Sequence, residues 1–364
     1  MNLAEGLPAT PDEIDAAWLT RAMAPRHPGI RVATVEVTEV HEVTNTHVRL
    51  RAGYDEPAGA PERLFCKMPP LDPARRELIG RTGMGPREAR FYAELAPALA
   101  FRVPHVSVAL HDARDNSFVL VMEDLEASGC TVSDGTVGVA PDSAARALEE
   151  LADLHRRFED ASARDAVPWI PATRPDSSYG AALLQQALDH HRERMSDDFA
   201  ALAELYVTSS DALQDLWRRG PVTIVHGDPH IGNLFDDHGR TGFLDWGIVR
   251  VGAAMRDVGY FLTMAMSIED RRAHERDLLH HYLDVRRASG AAPIAFDDAW
   301  SAHRLHAAYT VPACCQIVVF PEGITERRRI FSEAFLARAE AAVADLEALD
   351  AVRAAGIPWS ARAR

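Results

Sequence analysis

The residues of this chain best suited to chemistry lie in a short polar insert between Val222 and Val249. The run reads Thr223-Ile224-Val225-His226-Gly227-Asp228-Pro229-His230-Ile231-Gly232-Asn233-Leu234-Phe235. An apolar strand delivers a His-Gly-Asp turn, and Asn233 follows five residues after Asp228. A second strand, Gly242-Phe243-Leu244, ends in Asp245-Trp246-Gly247. Carboxylate and amide oxygens on short turns are hard donors, which suit magnesium and do not suit zinc. A carboxylate so presented can also orient a hydroxyl or take its proton.

A second position stands out by exclusion. The chain carries one lysine, Lys67, against 38 arginines. It lies in the apolar run Arg63-Leu64-Phe65-Cys66-Lys67-Met68, just before Pro69-Pro70. Lysine offers a compact point charge on a flexible stem, whereas arginine is a planar fork. A position that keeps lysine in an arginine background has a use for the compact charge, and phosphate binding from a strand is one such use.

These residues need elements to position them. Thr10-Pro11-Asp12-Glu13 reads as the cap of an opening amphipathic helix with Ile14, Trp18, Leu19 and Met23 on its apolar side. Strands are predicted at 32–43, with Val35, Val37, Val40 and Val43 alternating, at 48–54, at 64–68, at 103–110 and at 118–122. Thr44-Asn45-Thr46 and Asp115-Asn116-Ser117 read as turns, and one helix, 86–95, is inserted after the third strand. From Asp142 onward helical periodicity dominates, with helices over 181–192, 199–218, 271–287, 297–309 and 327–349 and loops at 135–141 and 169–175. The spacing therefore predicts an α+β chain: a small five-stranded lobe with one inserted helix over residues 1–124, and a larger mainly helical lobe over 125–364.

Protein kinases use H-R-D-x-x-x-x-N and D-F-G at closely similar separations. The run from His226 to Asn233, followed by Leu244-Asp245-Trp246, resembles the aminoglycoside phosphotransferase and choline kinase superfamily. The stretch Gly252-Ala253-Ala254-Met255-Arg256-Asp257-Val258-Gly259-Tyr260 is similar to its CHK-kinase-like (ecdysteroid-kinase-like) branch. The resemblance runs from roughly residue 30 to 350 and implies a bilobal protein-kinase-like fold.

It also implies roles. Asp228 would be the catalytic base or orienting carboxylate, and Asn233 and Asp245 would bind Mg²⁺. His226 and His230 would brace the loop, and Asp257 would steady it from behind. Lys67 would take the phosphates with Glu88 as its ion-pair partner. Met122-Glu123-Asp124-Leu125 would be the hinge, with Glu123 and Leu125 offering backbone groups to adenine, and Asn45 would lie in the turn that covers the nucleotide. That turn, Glu42-Val43-Thr44-Asn45-Thr46-His47, contains no glycine; in this superfamily it is often Ser/Asn-rich. The implied activity is transfer of the γ-phosphoryl group of ATP, with GTP as an alternative donor, to a hydroxyl of an antibiotic, natural product or metabolite. A protein substrate is disfavoured, because the chain runs from Asp245-Trp246-Gly247 into Arg250 and a helix without an Ala-Pro-Glu motif.

Two other readings use the same residues. A metal-dependent phosphohydrolase would ligate metal through His226, Asp228, His230 and Asp245, which leaves Lys67 and Glu88 without a role. A nucleotide-binding module that has lost catalysis would have less reason to retain these carboxylates.

Composition sets the outer limits. A formal net charge of −15 argues against nucleic-acid partners, which need a basic surface. No stretch approaches the roughly 20 apolar residues of a membrane span, and Met1-Asn2-Leu3-Ala4-Glu5-Gly6 lacks the pattern of a signal peptide. The four cysteines show no metal-ligand or disulfide spacing, and the Cys314-Cys315 pair reads as core. A reduced, cytoplasmic enzyme acting as monomer or homodimer is expected.

Overall fold

The computed structural model describes residues 6–173, 175–319 and 325–357. Met1–Glu5, on which most of the leader reading rests, and Arg174 of the 169–175 loop lie outside the described residues. The chain divides into two compact units. The first takes the chain through Val132 together with Phe235–His238 and Gly242–Val249; the second holds Ser133–Leu234, Gly239–Thr241 and the chain from Arg250. The sequence placed the boundary at 124/125. The later division follows from β6 (Thr131–Val132) pairing with Phe235 and Asp236 of β8 (Leu234–Asp237), and the Asp245 turn groups with the N-terminal unit.

The first unit is built on a five-stranded antiparallel sheet. Its strands are β1 (Arg31–Glu42), β2 (Thr46–Glu56), β3 (Arg63–Met68), β4 (Val106–Asp112) and β5 (Ser117–Glu123), in the order β1-β2-β3-β5-β4. Alternation puts Val48, Leu50, Ala52, Leu64, Cys66 and Met68 on one face, where they pack with Trp18, Leu19 and Met23 of the helix Ala16–Met23. Lys67 falls on the opposite face, in register with His47. The β4–β5 turn holds Asn116 at φ +58°, a left-handed conformation that Asn tolerates, and Asp115 accepts from Ser117 N.

Three local expectations are corrected. The helix cap is Asp15, whose carboxylate accepts from Trp18 N at 2.7 Å; Thr10 caps only a short 3₁₀ turn and without a side-chain bond. Most of the alternating valines stay outside the core: Val37 and Val40 of the edge strand β1, and Val43 just beyond it, are exposed, whereas Val35 packs against the core; the register shifts between Val37 and Glu39. The insert after β3 holds two helices, Pro73–Gly80 and Met84–Arg90, the second running into a π turn, Phe91–Leu95. The first buries no side chain, so no apolar period announces it.

The second unit is mainly helical, as expected. Its helices include Pro141–Arg157, Ser178–His190, Asp197–Leu216, Ala254–Ala265, Ile268–Ala288, Phe296–Ala307 and Glu326–Asp345. Two short strands, β7 (Val222–Val225) and β10 (Arg250–Ala253), pair antiparallel among them, and β9 (Arg240–Phe243) follows β8. Cys314 and Cys315 are buried free thiols. No helix among the described residues is long and apolar enough to cross a membrane.

Candidate active site

In the first unit, β3 and the helix Met84–Arg90 bring Lys67 and Glu88 together. The Lys67 ammonium lies 2.6 Å from Glu88 Oε2 and 3.1 Å from Asp245 Oδ1. Lys67 and Glu88 are nearly closed to solvent, at 7% and 4% side-chain exposure, whereas the Asp245 side chain is 52% exposed. Burial opposes the lysine's charge, but Asp245 and Glu88 together outweigh it and hold Lys67 above the ordinary lysine range. Burial pushes the Glu88 carboxyl up to about 7, with the Asp245 charge adding to it and Lys67 opposing. Two carboxylates thus share one ammonium, and the more buried of them carries the cost.

Aromatic packing sets the position of Asp245. Trp246 is fully buried, stacked on Phe91 at 3.9 Å between ring centroids and edge-on to Phe101 at 5.4 Å. Phe91 directly continues the helix that carries Glu88, so one cluster ties both carboxylates to the same lysine. Arg87 Nη1 donates to Gly247 O at 2.7 Å, on the same helix. Asp245 itself sits at φ +55°, an uncommon conformation for a residue with a side chain.

The turn from Glu42 to His47 is closed by side chains. Thr46 Oγ1 donates to Glu42 and lies 3.0 Å from Pro69 O, and Arg75 donates to Val43 O. Asn45 is buried, and its Oδ1 has no hydrogen-bond partner among the described residues. His47, the cross-strand neighbour of Lys67, is pushed down to about 4 by burial, with Lys67 adding to the effect. At the end of β5 the Glu123 carboxylate accepts from Arg102 Nη1 at 2.9 Å and His105 N at 2.8 Å, so its side chain fixes the strand end. Leu125 packs with Cys130 and Phe235.

In the second unit, β7 delivers the loop His226–Asn233. Gly227 takes φ +90°, which a residue with a Cβ rarely adopts, and this lets the chain turn so that Asp228 leaves the strand line. The Asp257 carboxylate, fully buried at the start of the helix Ala254–Ala265, accepts from His226 N at 2.6 Å, Gly227 N at 2.9 Å and His155 Nε2 at 3.3 Å. Burial would raise its pKa; the hydrogen bonds from the His155 ring and the Gly227 N–H lower it below the ordinary aspartate value. His226 Nδ1 accepts from Asp228 N at 3.2 Å, and His230 Nδ1 accepts from Gly232 N at 2.9 Å. Asn233 Nδ2 donates to both the carbonyl of Asp228 (3.0 Å) and its carboxylate (3.1 Å). His230 Nε2 lies 3.5 Å from the same carboxylate.

Residues 55–293 match the phosphotransferase enzyme family. The chain belongs to that family. A 172-residue stretch is 25% identical to "Uncharacterized kinase-like protein D1044.1" of Caenorhabditis elegans, covering 44% of this chain and 45% of that protein. The chain thus spans about half the length of the curated relative it matches. Among solved structures, the GDP complex of a mutant aminoglycoside 2′-phosphotransferase-IIIa is similar in fold, with TM-score 0.50 and 13% identity over 92% of this chain and 100% of that one. The apoenzyme of macrolide 2′-phosphotransferase MphH from Brachybacterium faecium is 19% identical, with TM-score 0.47 over 86% and 96% of the two chains. Choline kinase LicA from Streptococcus pneumoniae is 16% identical, with TM-score 0.46 over 87% and 94%. The family that the motif residues resemble is the family shown.

Within this family member, most of the residues singled out in the sequence gather in two groups, with Asn45, Glu123 and Leu125 in the separate surroundings given above. Lys67, Glu88 and Asp245 meet in the first unit, and His226, Asp228, His230, Asn233 and Asp257 meet in the second. Sequence reasoning missed His155, Arg102 and Phe91, because their partners are remote: His155 is 102 residues from Asp257, and Arg102 is 135 from Asp237, which it also contacts at 2.5 Å. The only local signal was a histidine in the last turn of an otherwise apolar helix face, after Leu148, Leu151 and Leu154.

Asp257→Ala leaves two backbone N–H groups and His155 Nε2 buried without their acceptor. It should cost about 3 kcal/mol of stability, measured by urea unfolding. The folded pKa of Asp257 is depressed, so its contribution is present above the unfolded value near 4 and is lost as pH falls through the folded value. The variant should therefore show a shallower loss of stability on acidification than the parent.

Proposed function

We propose that this phosphotransferase moves the γ-phosphoryl group of ATP, with Mg²⁺ as cofactor, to a hydroxyl of a small molecule: an antibiotic, a natural product or a metabolite. GTP is the alternative donor. The observation that carries this reading is the Lys67 ammonium set between Glu88 and Asp245 at 2.6 and 3.1 Å. One charge more of carboxylate than of ammonium, in surroundings that push Glu88 up to about 7, suits a site completed by a cation.

The donor chemistry of Asn233 and Asp245, each in its own unit, suits Mg²⁺. Asp245 is half-exposed, and Asn233 spends its amide N–H groups on Asp228, which leaves its amide oxygen as an acceptor. When bound, Mg²⁺ supplies neutralisation of the phosphate oxygens. In this reading Lys67 takes phosphate charge, and the backbone at Glu123 and Leu125 with the Asn45 turn holds the nucleotide. Residues 1–124 then serve as the nucleotide lobe and 125–364 carry the catalytic loop and acceptor site. Asp228 orients the acceptor hydroxyl and takes its proton as the new O–P bond forms and the bond to the leaving nucleoside diphosphate breaks. Asn233 and His230 hold the Asp228 carboxylate, and Asp257 holds the turn that presents it. Four unpaired thiols suit a reducing, cytoplasmic setting.

A phosphohydrolase using His226 and His230 as metal ligands is less well supported. His226 Nδ1 is taken by Asp228 N–H, and among the described residues no group of three or more His, Cys, Asp or Glu is arranged to hold a metal ion. ATP consumption across a panel of alcohols, with Mg²⁺ present, tests the proposal; ATPase activity that no alcohol stimulates, with a tightly bound transition metal by elemental analysis, would favour the hydrolase. Lys67→Arg should keep the charge and lose about 100-fold in turnover, because a planar fork cannot sit as a point charge between two carboxylates. Unchanged turnover would remove Lys67 from the chemistry.

A further inference from the structure

The hydrogen bonds behind the catalytic loop do not stop at Asp257. His155 Nδ1 lies 2.8 Å from the hydroxyl of Tyr282, on the helix Ile268–Ala288. Arg286 Nη1, one turn further along that helix, lies 3.4 Å from the same hydroxyl oxygen, and Arg286 Nη2 donates to Glu159. His155, Tyr282 and Arg286 are all within 1% of complete burial.

Donor and acceptor roles follow from the ends inward. Asp257 accepts two backbone N–H groups from the loop, so its contact with His155 requires a ring N–H, at Nε2. Arg286 can only donate, so the Tyr282 oxygen accepts from it. The Tyr282 O–H proton then needs an acceptor, and Nδ1 of His155 is the atom within reach.

We propose that Tyr282 is a positioning residue of the catalytic loop: its hydroxyl fixes His155 as the neutral tautomer with Nε2–H on Asp257, which in turn holds His226 and Gly227. The direction of every bond in the chain, from Arg286 to the loop, is then determined. Loss of the tyrosine hydroxyl frees Nδ1 to seek another partner and the ring to turn from Asp257. Burial pushes the Tyr282 phenol above the ordinary tyrosine range, so the hydroxyl keeps its proton throughout the neutral region.

The consequence is a mutation remote from the loop that loosens the loop and little else. In Tyr282→Phe, hydrogen exchange of the His226 and Gly227 amides should quicken about tenfold relative to the parent, measured by mass spectrometry of peptides spanning the loop. Tyr206→Phe removes another largely buried phenol hydroxyl outside this chain and serves as control. Loop exchange in Tyr282→Phe equal to that of the control would overturn the proposal. A measurement on the unmutated protein covers failure of the variant to fold: ¹⁵N shifts of His155 should report a neutral ring protonated at Nε2, and protonation at Nδ1 would overturn the assignment. Both readouts stand apart from the phosphotransfer reading. If the alcohol panel yields a substrate, Tyr282→Phe should lower kcat with KM for Mg-ATP unchanged; a panel without turnover would count against that reading and leave the exchange result to decide this one.

Discussion

Asp228→Ala should lower turnover by about 1,000-fold, within the range set by removal of a general base, while the protein stays folded and binds nucleotide. The Asp228 side chain is 29% exposed, and among the described residues it is held by Asn233 Nδ2 and His230 Nε2. Truncation therefore strands no buried donor, in contrast to the loss of Asp257 behind it. The Asp228 backbone also keeps its own bonds, with its N–H on His226 and its carbonyl accepting from His230 N and Asn233 Nδ2. Steady-state assay with the best alcohol of the panel, beside nucleotide binding by calorimetry, separates the outcomes. Full activity would mean that another group handles the acceptor proton.

Asp245→Asn should give the opposite pattern: Mg²⁺-dependent nucleotide binding is lost with turnover, and the metal-free fold is no weaker than the parent. Asparagine keeps the side-chain shape and tolerates φ +55°, so the backbone around the turn is preserved. Trp246, stacked on Phe91, still anchors the segment. What disappears is one of two carboxylates on a single ammonium. With it goes one of the charges that push Glu88 up, so Lys67 and Glu88 are left as a simple pair. The loss of a carboxylate that neutralises through metal is expected to cost about 4 kcal/mol of transition-state stabilisation, roughly 1,000-fold in rate. Calorimetric titration with and without Mg²⁺, together with thermal unfolding, checks both halves. A variant that binds Mg-ATP as the parent does would remove Asp245 from the metal site.

The two variants differ because each carboxylate belongs to its own unit and has its own surroundings. Asp228 belongs to a loop fixed from behind by Asp257, His226 and His155. Asp245 belongs to a strained turn held by an aromatic cluster beside Glu88. Removing a strained or charge-crowded group at a working site commonly stabilises a fold while ending its activity. The contrast between stable-and-inactive at Asp245 and destabilised at Asp257 separates a functional carboxylate from a supporting one.

Much of this was legible in the amino-acid sequence where the governing interactions are local. The five-residue spacing of Asp228 and Asn233 closes on itself: the amide reaches the carboxylate because one short turn separates them. Gly227, required by its positive φ, stands inside the same turn. Period-two alternation in β2 and β3 puts Lys67 on the face opposite the core. The single lysine among arginines marked the position where a compact charge meets two carboxylates.

Tertiary structure alone decided the rest, and the reason is distance along the chain. Nothing in the local pattern distinguishes Val37 and Val40 of an exposed edge strand from Val48 of a core strand, since strand order is set by pairing between segments. Nor can spacing announce that Glu123 turns its carboxylate to Arg102, that Trp246 stacks on Phe91, or that His155 and Tyr282 stand behind a loop some 70 and 50 residues away. Such partners meet only when helices and strands pack, because a buried polar atom must find a donor or acceptor wherever the fold supplies one. The sequence by itself determined which residues could do the chemistry; packing determined which of them are held, by what, and how firmly.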